Sequence, residues 1–189
     1  MLCDEVYRGT DQTGSGTTCS IVDVYEKGIS TAGMSKVFSL AGLRLGWVVG
    51  PVKIVKNVMI HRDYNTISVG VINDFLAALA LENHQSLLTR SKLITRRNLE
   101  MLAKWVDSEP SIDWVQPSSG TTTLLKYDLA MSSRDFCIEL LKETGVMFTP
   151  GSAMGMEGYV RIGYANPTAV LQQGLKLVSK FLTDRIVRV

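Results

Sequence analysis

Five charged or polar residues lie where the sequence predicts rigid local structure. Asp4 ends an apolar strand, the place where open α/β sheets bind ligands, and Tyr7 follows it closely enough to approach the same ligand. Lys36 follows a second short strand, and Arg44 directly precedes a third. Arg161 interrupts an apolar strand and points away from its apolar neighbours. Taken singly, each residue type also fits an ordinary turn former, solvated charge or surface ion pair.

Taken together, the segments that carry these residues match the pattern of one family. Residues 33–47, Gly-Met-Ser-Lys-Val-Phe-Ser-Leu-Ala-Gly-Leu-Arg-Leu-Gly-Trp, resemble the Ser-x-Ser-Lys…Gly-x-Arg-x-Gly segment of class I/II aminotransferases, which are fold-type I enzymes dependent on pyridoxal 5′-phosphate. Residues 4–7, Asp-Glu-Val-Tyr, resemble the family's Asp-x-x-Tyr. Residues 151–162 resemble its carboxylate-binding segment. The resemblance covers essentially the whole chain but only about the C-terminal half of the family's.

The resemblance implies a chemical role for each residue of the first two segments. Lys36 forms a Schiff base with the cofactor aldehyde. The substrate amine then displaces Lys36 from the aldehyde, and the freed Lys36 amine serves as general base and acid. Asp4 pairs with the pyridine nitrogen and keeps it protonated, so that the ring accepts electrons. Tyr7 hydrogen-bonds the ring oxygen O3′. Ser35 and Arg44 bind the cofactor phosphate, Arg44 through its planar fork.

Arg161 is implied to bind the substrate α-carboxylate, again through a guanidinium fork. One position departs from the family pattern. Gly33 stands where the family usually has a serine whose hydroxyl helps to bind the phosphate. One phosphate contact is therefore expected to be missing, while Ser35 and Arg44 remain.

The hydrophobic pattern predicts an α/β chain in two parts. The resemblance implies that residues 1–105 are the end of the family's large, cofactor-binding domain, with a mixed, mostly parallel sheet, flanking helices and a long connecting helix. Residues 106–189 alternate short strands and helices, which indicates a smaller α+β domain. Residues 1–7 are typical of the end of a buried strand, residues 146–149 of a further strand, and Ser132 or Ser133 of a helix N-cap.

The composition excludes several classes of function. The 189 residues carry a net charge of +2, too small to predict binding to nucleic acid or to a membrane surface. No apolar run is long enough to cross a membrane, and no secretory signal is visible. The three cysteines are widely spaced and His61 and His84 stand alone, so we expect reduced thiols, no metal site and a cytoplasmic location.

The sequence thus predicts the C-terminal portion of an aminotransferase that moves an amino group from an amino acid to a 2-oxo acid. On the resemblance, the full-length protein is a homodimer, the segment 64–68 reaches towards the partner subunit, and the 189 residues alone bind the cofactor poorly. Two alternatives stay open. One is a C–S lyase, cyclase or synthase on the same fold, and the other is a non-catalytic fragment. The sequence does not select a particular amino acid substrate.

Overall fold

A computed structural model describes residues 1–186 of the chain. The chain forms two compact units, residues 1–92 and residues 93–189. The division falls inside a long helix, earlier in the chain than the domain boundary predicted at residue 105.

The first unit contains a three-stranded mixed sheet and several helices. Strand β1 pairs in parallel with β2, and β2 pairs antiparallel with β3. The sheet is therefore mixed, with one parallel and one antiparallel pairing among the residues described. Its elements are β1 (Leu2–Asp4), α1 (Ile21–Val24), β2 (Ile29–Gly33), β3 (Gly46–Val49), α2 (Val52–Arg62), α3 (Val71–Glu82) and α4 (His84–Ser108), which continues into the second unit.

Strand β1 is confirmed as a strand, but the expectation that it is buried is wrong. Leu2, Cys3 and Asp4 are all exposed. Side chains of a strand point to the two faces of the sheet, and among the described residues nothing covers those faces at β1, which pairs only with β2. An apolar run of this length indicates a strand, but not what covers it.

The first unit has a small core and a wide exposed apolar surface. Met34 and Ala77 are almost completely buried, and Val37, Phe38 and Ala80 complete the core cluster. Helix α2 contributes no buried residue. Many apolar side chains of α2, of α3 and of the segment between them are exposed, among them Val52, Met59, Ile60, Tyr64, Ile67, Val71, Ile72 and Phe75.

The second unit is an α+β arrangement, as the sequence predicted for the last part of the chain. Its four strands are antiparallel throughout, in the order β4-β5-β7-β6. A single large core packs under this sheet, with Leu102, Phe136, Leu140 and Val160 almost fully buried. The elements after α4 are β4 (Ile112–Trp114), β5 (Thr122–Tyr127), α5 (Ser133–Thr144), β6 (Thr149–Pro150), β7 (Tyr159–Gly163) and α6 (Thr168–Ile186).

Two local predictions in this unit had different outcomes. Ser132 is confirmed as the N-cap of α5, because its hydroxyl accepts a hydrogen bond from the Asp135 N–H at 3.1 Å. The strand predicted over residues 146–149 is shorter than expected, since only Thr149 and Pro150 pair with β7. Phe148 is instead buried in the core. The apolar side chains before Thr149 therefore reflect packing against the core, and they do not indicate a strand.

None of the helices within residues 1–186 has the length and apolar character needed to span a membrane.

Candidate functional site

Lys36 lies in a tight turn after β2 that buried neighbours hold in place. Met34, two residues before it, is fully buried, and Val37 directly after it is also buried. The Ser91 hydroxyl donates a hydrogen bond to the Val37 carbonyl at 2.6 Å, and the Ser39 N–H donates to the Lys36 carbonyl at 3.0 Å. Lys36 itself is exposed, so the turn presents a primary amine on an anchored backbone.

The structure brings Tyr7 close to this amine. Asp4 ends β1 opposite Thr31 of β2, and its carboxylate accepts a hydrogen bond from the Val6 N–H at 3.2 Å, which turns the chain after the strand. Tyr7 follows in that turn, and the Lys36 Nζ lies 5.9 Å from the centroid of the Tyr7 ring. A cation at this distance from a ring interacts favourably with it.

Glu5 is a residue of this segment that the sequence analysis did not assign. Its carboxylate accepts hydrogen bonds from the Ile21 N–H at 2.8 Å and from the Ser20 hydroxyl at 2.9 Å, at the start of α1. Burial acts to raise the pKa of Glu5, but hydrogen bonds from Ile21, Ser20 and Ser30 outweigh it and hold the pKa below its ordinary value. No local signal could have indicated this role, because the contact joins the end of β1 to a helix start 15 residues later in the chain.

The structure explains why position 33 is a glycine, which the sequence did not reveal. It pairs with Gly46 between β2 and β3. A Cβ at Gly33 would lie 3.0 Å from the Leu45 carbonyl oxygen, and a Cβ at Gly46 would lie 2.8 Å from the Ala32 carbonyl oxygen. Glycine at this position therefore permits a close approach of the two strands just before the Lys36 turn.

Arg44 adopts a backbone conformation that is uncommon for a residue with a side chain. Its φ of 49° and ψ of 37° lie in the left-handed region, at the end of a short 3₁₀ turn over residues 41–43. The guanidinium is exposed and donates a hydrogen bond to the Ala41 carbonyl at 2.9 Å. Non-glycine residues held in this region often belong to functional sites. Ser35, the other predicted phosphate ligand, is half-buried beside Lys36.

Arg161 belongs to the second unit and is exposed in the middle of β7. It lies opposite Leu124 of β5 and Thr149 of β6. The guanidinium donates a hydrogen bond to the Thr149 hydroxyl at 3.2 Å. The sequence analysis missed Thr149, and no local signal could have found it, because the contact depends on the register between two strands.

Within residues 1–186, no three His, Cys, Asp or Glu side chains come together in a way that could hold a metal ion.

The fold and these segments have clear counterparts among known proteins. A family model described as "Aminotransferase class I and II" matches residues 1–176. The chain therefore belongs to the class I and II aminotransferase family. A structure of a PLP-dependent aminotransferase from Streptococcus suis superposes with a TM-score of 0.92 and 38% identity, over 97% of this chain and 48% of that one.

Two curated relatives show how far the similarity extends. Capreomycidine synthase from Streptomyces vinaceus is 33% identical over 155 residues, which are 82% of this chain and 40% of the relative. Aromatic-amino-acid aminotransferase 2 from Thermococcus litoralis is 29% identical over 194 residues, 98% of this chain and 49% of the relative. The chain thus spans about half the length of the curated relatives it matches.

Proposed function

We propose that the protein carrying this chain is a pyridoxal-phosphate-dependent aminotransferase that transfers an amino group from an amino acid to a 2-oxo acid. The observation that carries the proposal is the Lys36 amine, which stands on an anchored turn with its Nζ 5.9 Å from the ring centroid of Tyr7. A primary amine is the group that can attach an aldehyde cofactor reversibly. Membership of the aminotransferase family supports the same assignment.

The residues of the first unit fit the chemical groups of pyridoxal phosphate. Asp4 is an exposed carboxylate at the end of β1, suited to pair with a protonated pyridine nitrogen. Tyr7 offers a hydroxyl to the ring oxygen, and Lys36 offers its amine to the aldehyde. When bound, the cofactor supplies an electron sink that stabilises negative charge at the substrate Cα. Lys36 then removes the Cα proton, for which its amine must be neutral.

Ser35 and Arg44 supply a hydroxyl and a guanidinium for the phosphate. The left-handed backbone at Arg44 is consistent with a side chain held for such a role. The close approach of β2 and β3 at Gly33 leaves no room for the family's usual serine without a shift of the Leu45 backbone. We therefore expect phosphate binding here to depend more strongly on Ser35 and Arg44 than the family pattern implies.

Arg161 is proposed to bind the substrate α-carboxylate. The hydrogen bond to Thr149 uses one of the guanidinium N–H groups and leaves others of its five donors for a ligand. A bidentate contact of this kind fixes the direction of the Cα–H bond as well as the affinity.

The proposal extends to the domains, the partner and the location. Residues 1–105 and 106–189 are assigned to the end of the large domain and to the small domain of the family. The many exposed apolar side chains of α2 and α3 support a homodimer, since large exposed apolar surfaces mark contacts with other chains. The cysteines Cys3, Cys19 and Cys137 are all free, which supports a reducing, cytoplasmic location.

A second candidate function keeps the cofactor and changes the reaction. The identity of 33% to capreomycidine synthase favours a synthase reaction, and a cyclase or a C–S lyase on the same fold stays as the other form of this alternative. The proposed roles of Lys36, Asp4 and Arg161 serve these reactions equally, because they prepare the Cα for reaction and do not decide which bond forms or breaks next.

The first experiment locates the cofactor. The purified full-length protein is incubated with pyridoxal phosphate, reduced with borohydride, and examined by intact mass and peptide mapping. We expect a single phosphopyridoxyl group on Lys36 and none in Lys36→Ala, which should also lower turnover by at least about a thousandfold. Lys27→Arg, at an exposed lysine in the turn before β2, is the matched control and should label like the wild type.

The second experiment distinguishes the reactions. An amino acid alone should convert the bound aldehyde to its amine form and release a 2-oxo acid. Release of ammonia or a thiol without the amine form would contradict transamination and favour the second candidate. A folded protein that gains no label at Lys36 would show a non-catalytic member of the family.

A further inference from the structure

Arg161 borders a cavity of about 500 Å³ whose other lining is largely apolar. The cavity lies on the open face of the second unit's sheet. Among the described residues that line it, Arg161 is the single charged one, and two threonines of β5 add hydroxyl groups. The apolar lining residues are Val115, Leu124, Met154, Met156 and Tyr159.

Two methionines form the most adaptable part of this lining. Met154 and Met156 are 39% and 38% exposed, so both side chains have surface available to a ligand. Methionine is unbranched and polarizable, and methionine-rich surfaces adjust to apolar groups of different shapes. Leu124 lies directly opposite Arg161 across β5 and β7 and is half-buried, which continues the apolar surface up to the guanidinium.

The backbone that carries the methionines is tightly constrained. We call residues 151–158 the methionine turn. Gly151 is buried so closely that a Cβ there would lie 2.0 Å from the Met156 carbonyl oxygen, and the Met156 N–H donates to the Gly151 carbonyl at 2.9 Å. The methionine turn therefore folds back on itself and admits only glycine at its first position.

A hydrogen-bond network ties the methionine turn to helix α5. The Glu157 carboxylate accepts hydrogen bonds from the Ser133 N–H at 2.5 Å and from the Ser133 hydroxyl at 3.0 Å. The same hydroxyl accepts a hydrogen bond from the Ser152 N–H at 3.1 Å. The two methionine side chains thus stand on a fixed backbone at a fixed place beside Arg161.

We propose that the methionine turn and Leu124 form a preordered wall for the side chain of the substrate, and that the preferred substrates are amino and 2-oxo acids with extended apolar side chains. The inference rests on the proposed function, in which Arg161 binds the α-carboxylate. A carboxylate on Arg161 places the rest of the ligand against the apolar lining. A second carboxylate there would lose water without gaining a cation from the described lining, which is costly.

A second cation, Lys126 of strand β5, gives the competing explanation. Lys126 lies opposite Tyr159 in the β5–β7 pairing and is exposed, although it does not line the cavity. Substrate selection by Lys126 would favour an acidic side chain. The same variants can therefore test both explanations.

The test compares leucine with aspartate as amino donors for the full-length holoenzyme. Met154→Ala and Met156→Ala should each lower kcat/KM for leucine about tenfold relative to that for aspartate. Met147→Ala, which removes an exposed methionine that does not line this cavity, should leave the ratio unchanged. A wild-type preference for aspartate that Lys126→Met abolishes would overturn the proposal.

A binding measurement separates this proposal from the proposed function. With methyl-labelled methionine, hexanoate should shift the NMR signals of Met154 and Met156, and succinate should shift them much less. Arg161→Lys should weaken the response to hexanoate. If hexanoate shifts the two methionine signals but amino acids never convert the bound cofactor to its amine form, the proposed wall stands and the aminotransferase assignment is wrong. If both methionine variants transaminate normally and keep the wild-type ratio of kcat/KM for leucine to that for aspartate, the proposed wall is wrong.

Discussion

The two units differ in how many of their apolar side chains they bury within their own cores. The second unit has one large core, in which Phe136, Leu140 and Leu182 are completely buried. The first unit has a small core around Met34, an exposed edge strand, and a helix α2 that buries nothing within the described residues. Burial of apolar area is the main favourable term in folding. We therefore expect the second unit to be stabilised mainly by its own core, whereas the first unit presents apolar surfaces suited to further contacts.

This difference matches the parts that the two units are proposed to play. The first unit carries the proposed cofactor residues beside an exposed sheet edge, with Lys36 and Tyr7 on short turns and Asp4 at the end of β1. The second carries Arg161 on the central part of a sheet that covers a large core. The exposed surfaces of the first unit leave room for further contacts around the cofactor residues, while the anchored turn at Lys36 and the sheet that carries Arg161 both hold their side chains in place.

The largest effect is expected from a substitution that opens the second unit's core. Leu140→Ala removes a side chain that is 0% exposed, and should lower the free energy of unfolding by about 3 kcal/mol at every protein concentration. The comparison is Phe75→Ala in α3, where the ring is 67% exposed. Phe75→Ala should change the intrinsic stability by less than about 0.5 kcal/mol.

Denaturant titrations at several protein concentrations check this pair of variants. If the α2–α3 surface mediates dimerisation, Phe75→Ala should weaken self-association in sedimentation experiments, and its apparent stability should depend on concentration. A concentration-independent loss at Phe75 as large as that at Leu140 would contradict the contrast between the units.

Much of this contrast could not be read from the sequence, although the elements themselves could. The N-cap of helix α5 was predicted at Ser132 or Ser133 and lies at Ser132, because capping is a local signal. The exposure of Leu2 and of α2 depends on which other segments cover them. An apolar pattern predicts that a surface is to be buried, but not by what.

The candidate site shows the same limit. Lys36, Arg44 and Arg161 could be proposed from the sequence because short motifs carry them. Thr149 and Glu157 were missed because each acts through a partner that is distant in sequence, Arg161 in one case and Ser133 in the other. Hydrogen bonds that depend on strand register or on the packing of a turn against a helix leave no periodic trace in the chain.

A smaller effect is expected at the contact between α5 and α6. The Arg185 guanidinium bridges Glu139 at 2.6 Å and Glu143 at 2.7 Å and lies 3.5 Å from the centroid of the Phe181 ring. The two glutamates are about half exposed, so solvent screens the ion pairs. Arg185→Met should therefore cost only about 1 kcal/mol, mostly from the contact with the ring.

Urea titrations at low and high salt test this assignment. Added salt should lower the free energy of unfolding of the wild type more than that of Arg185→Met, because only the wild type has the ion pairs. Arg185→Lys is the matched control, since it retains the charge and loses the planar fork. An unchanged stability in Arg185→Met would mean that the guanidinium adds nothing beyond its apolar stem.

The smallest expected effect concerns pH and the methionine turn. The Ser133 N–H, followed by the Ser133 hydroxyl and the Gly158 N–H, holds the pKa of Glu157 below its ordinary value of 4.5. A carboxyl whose pKa is lowered on folding stabilises the folded state above its unfolded pKa, and this contribution disappears as the pH falls through the folded pKa. Glu157→Gln should therefore be less stable than the wild type at neutral pH.

The difference between the two proteins should shrink as the pH falls below about 4.5 and the wild-type carboxyl becomes protonated. Thermal unfolding from pH 7 to pH 3 measures it, with Glu26→Gln, at an exposed glutamate of the first unit, as the control. If Glu157 holds the methionine turn, Glu157→Gln should also broaden the NMR signals of Met154 and Met156 but not that of Met147. If the difference in stability between the wild type and Glu157→Gln does not change with pH, the shape of the Glu157 side chain and not its charge is responsible. If the signals of Met154 and Met156 do not change in Glu157→Gln, Glu157 does not hold the methionine turn in place.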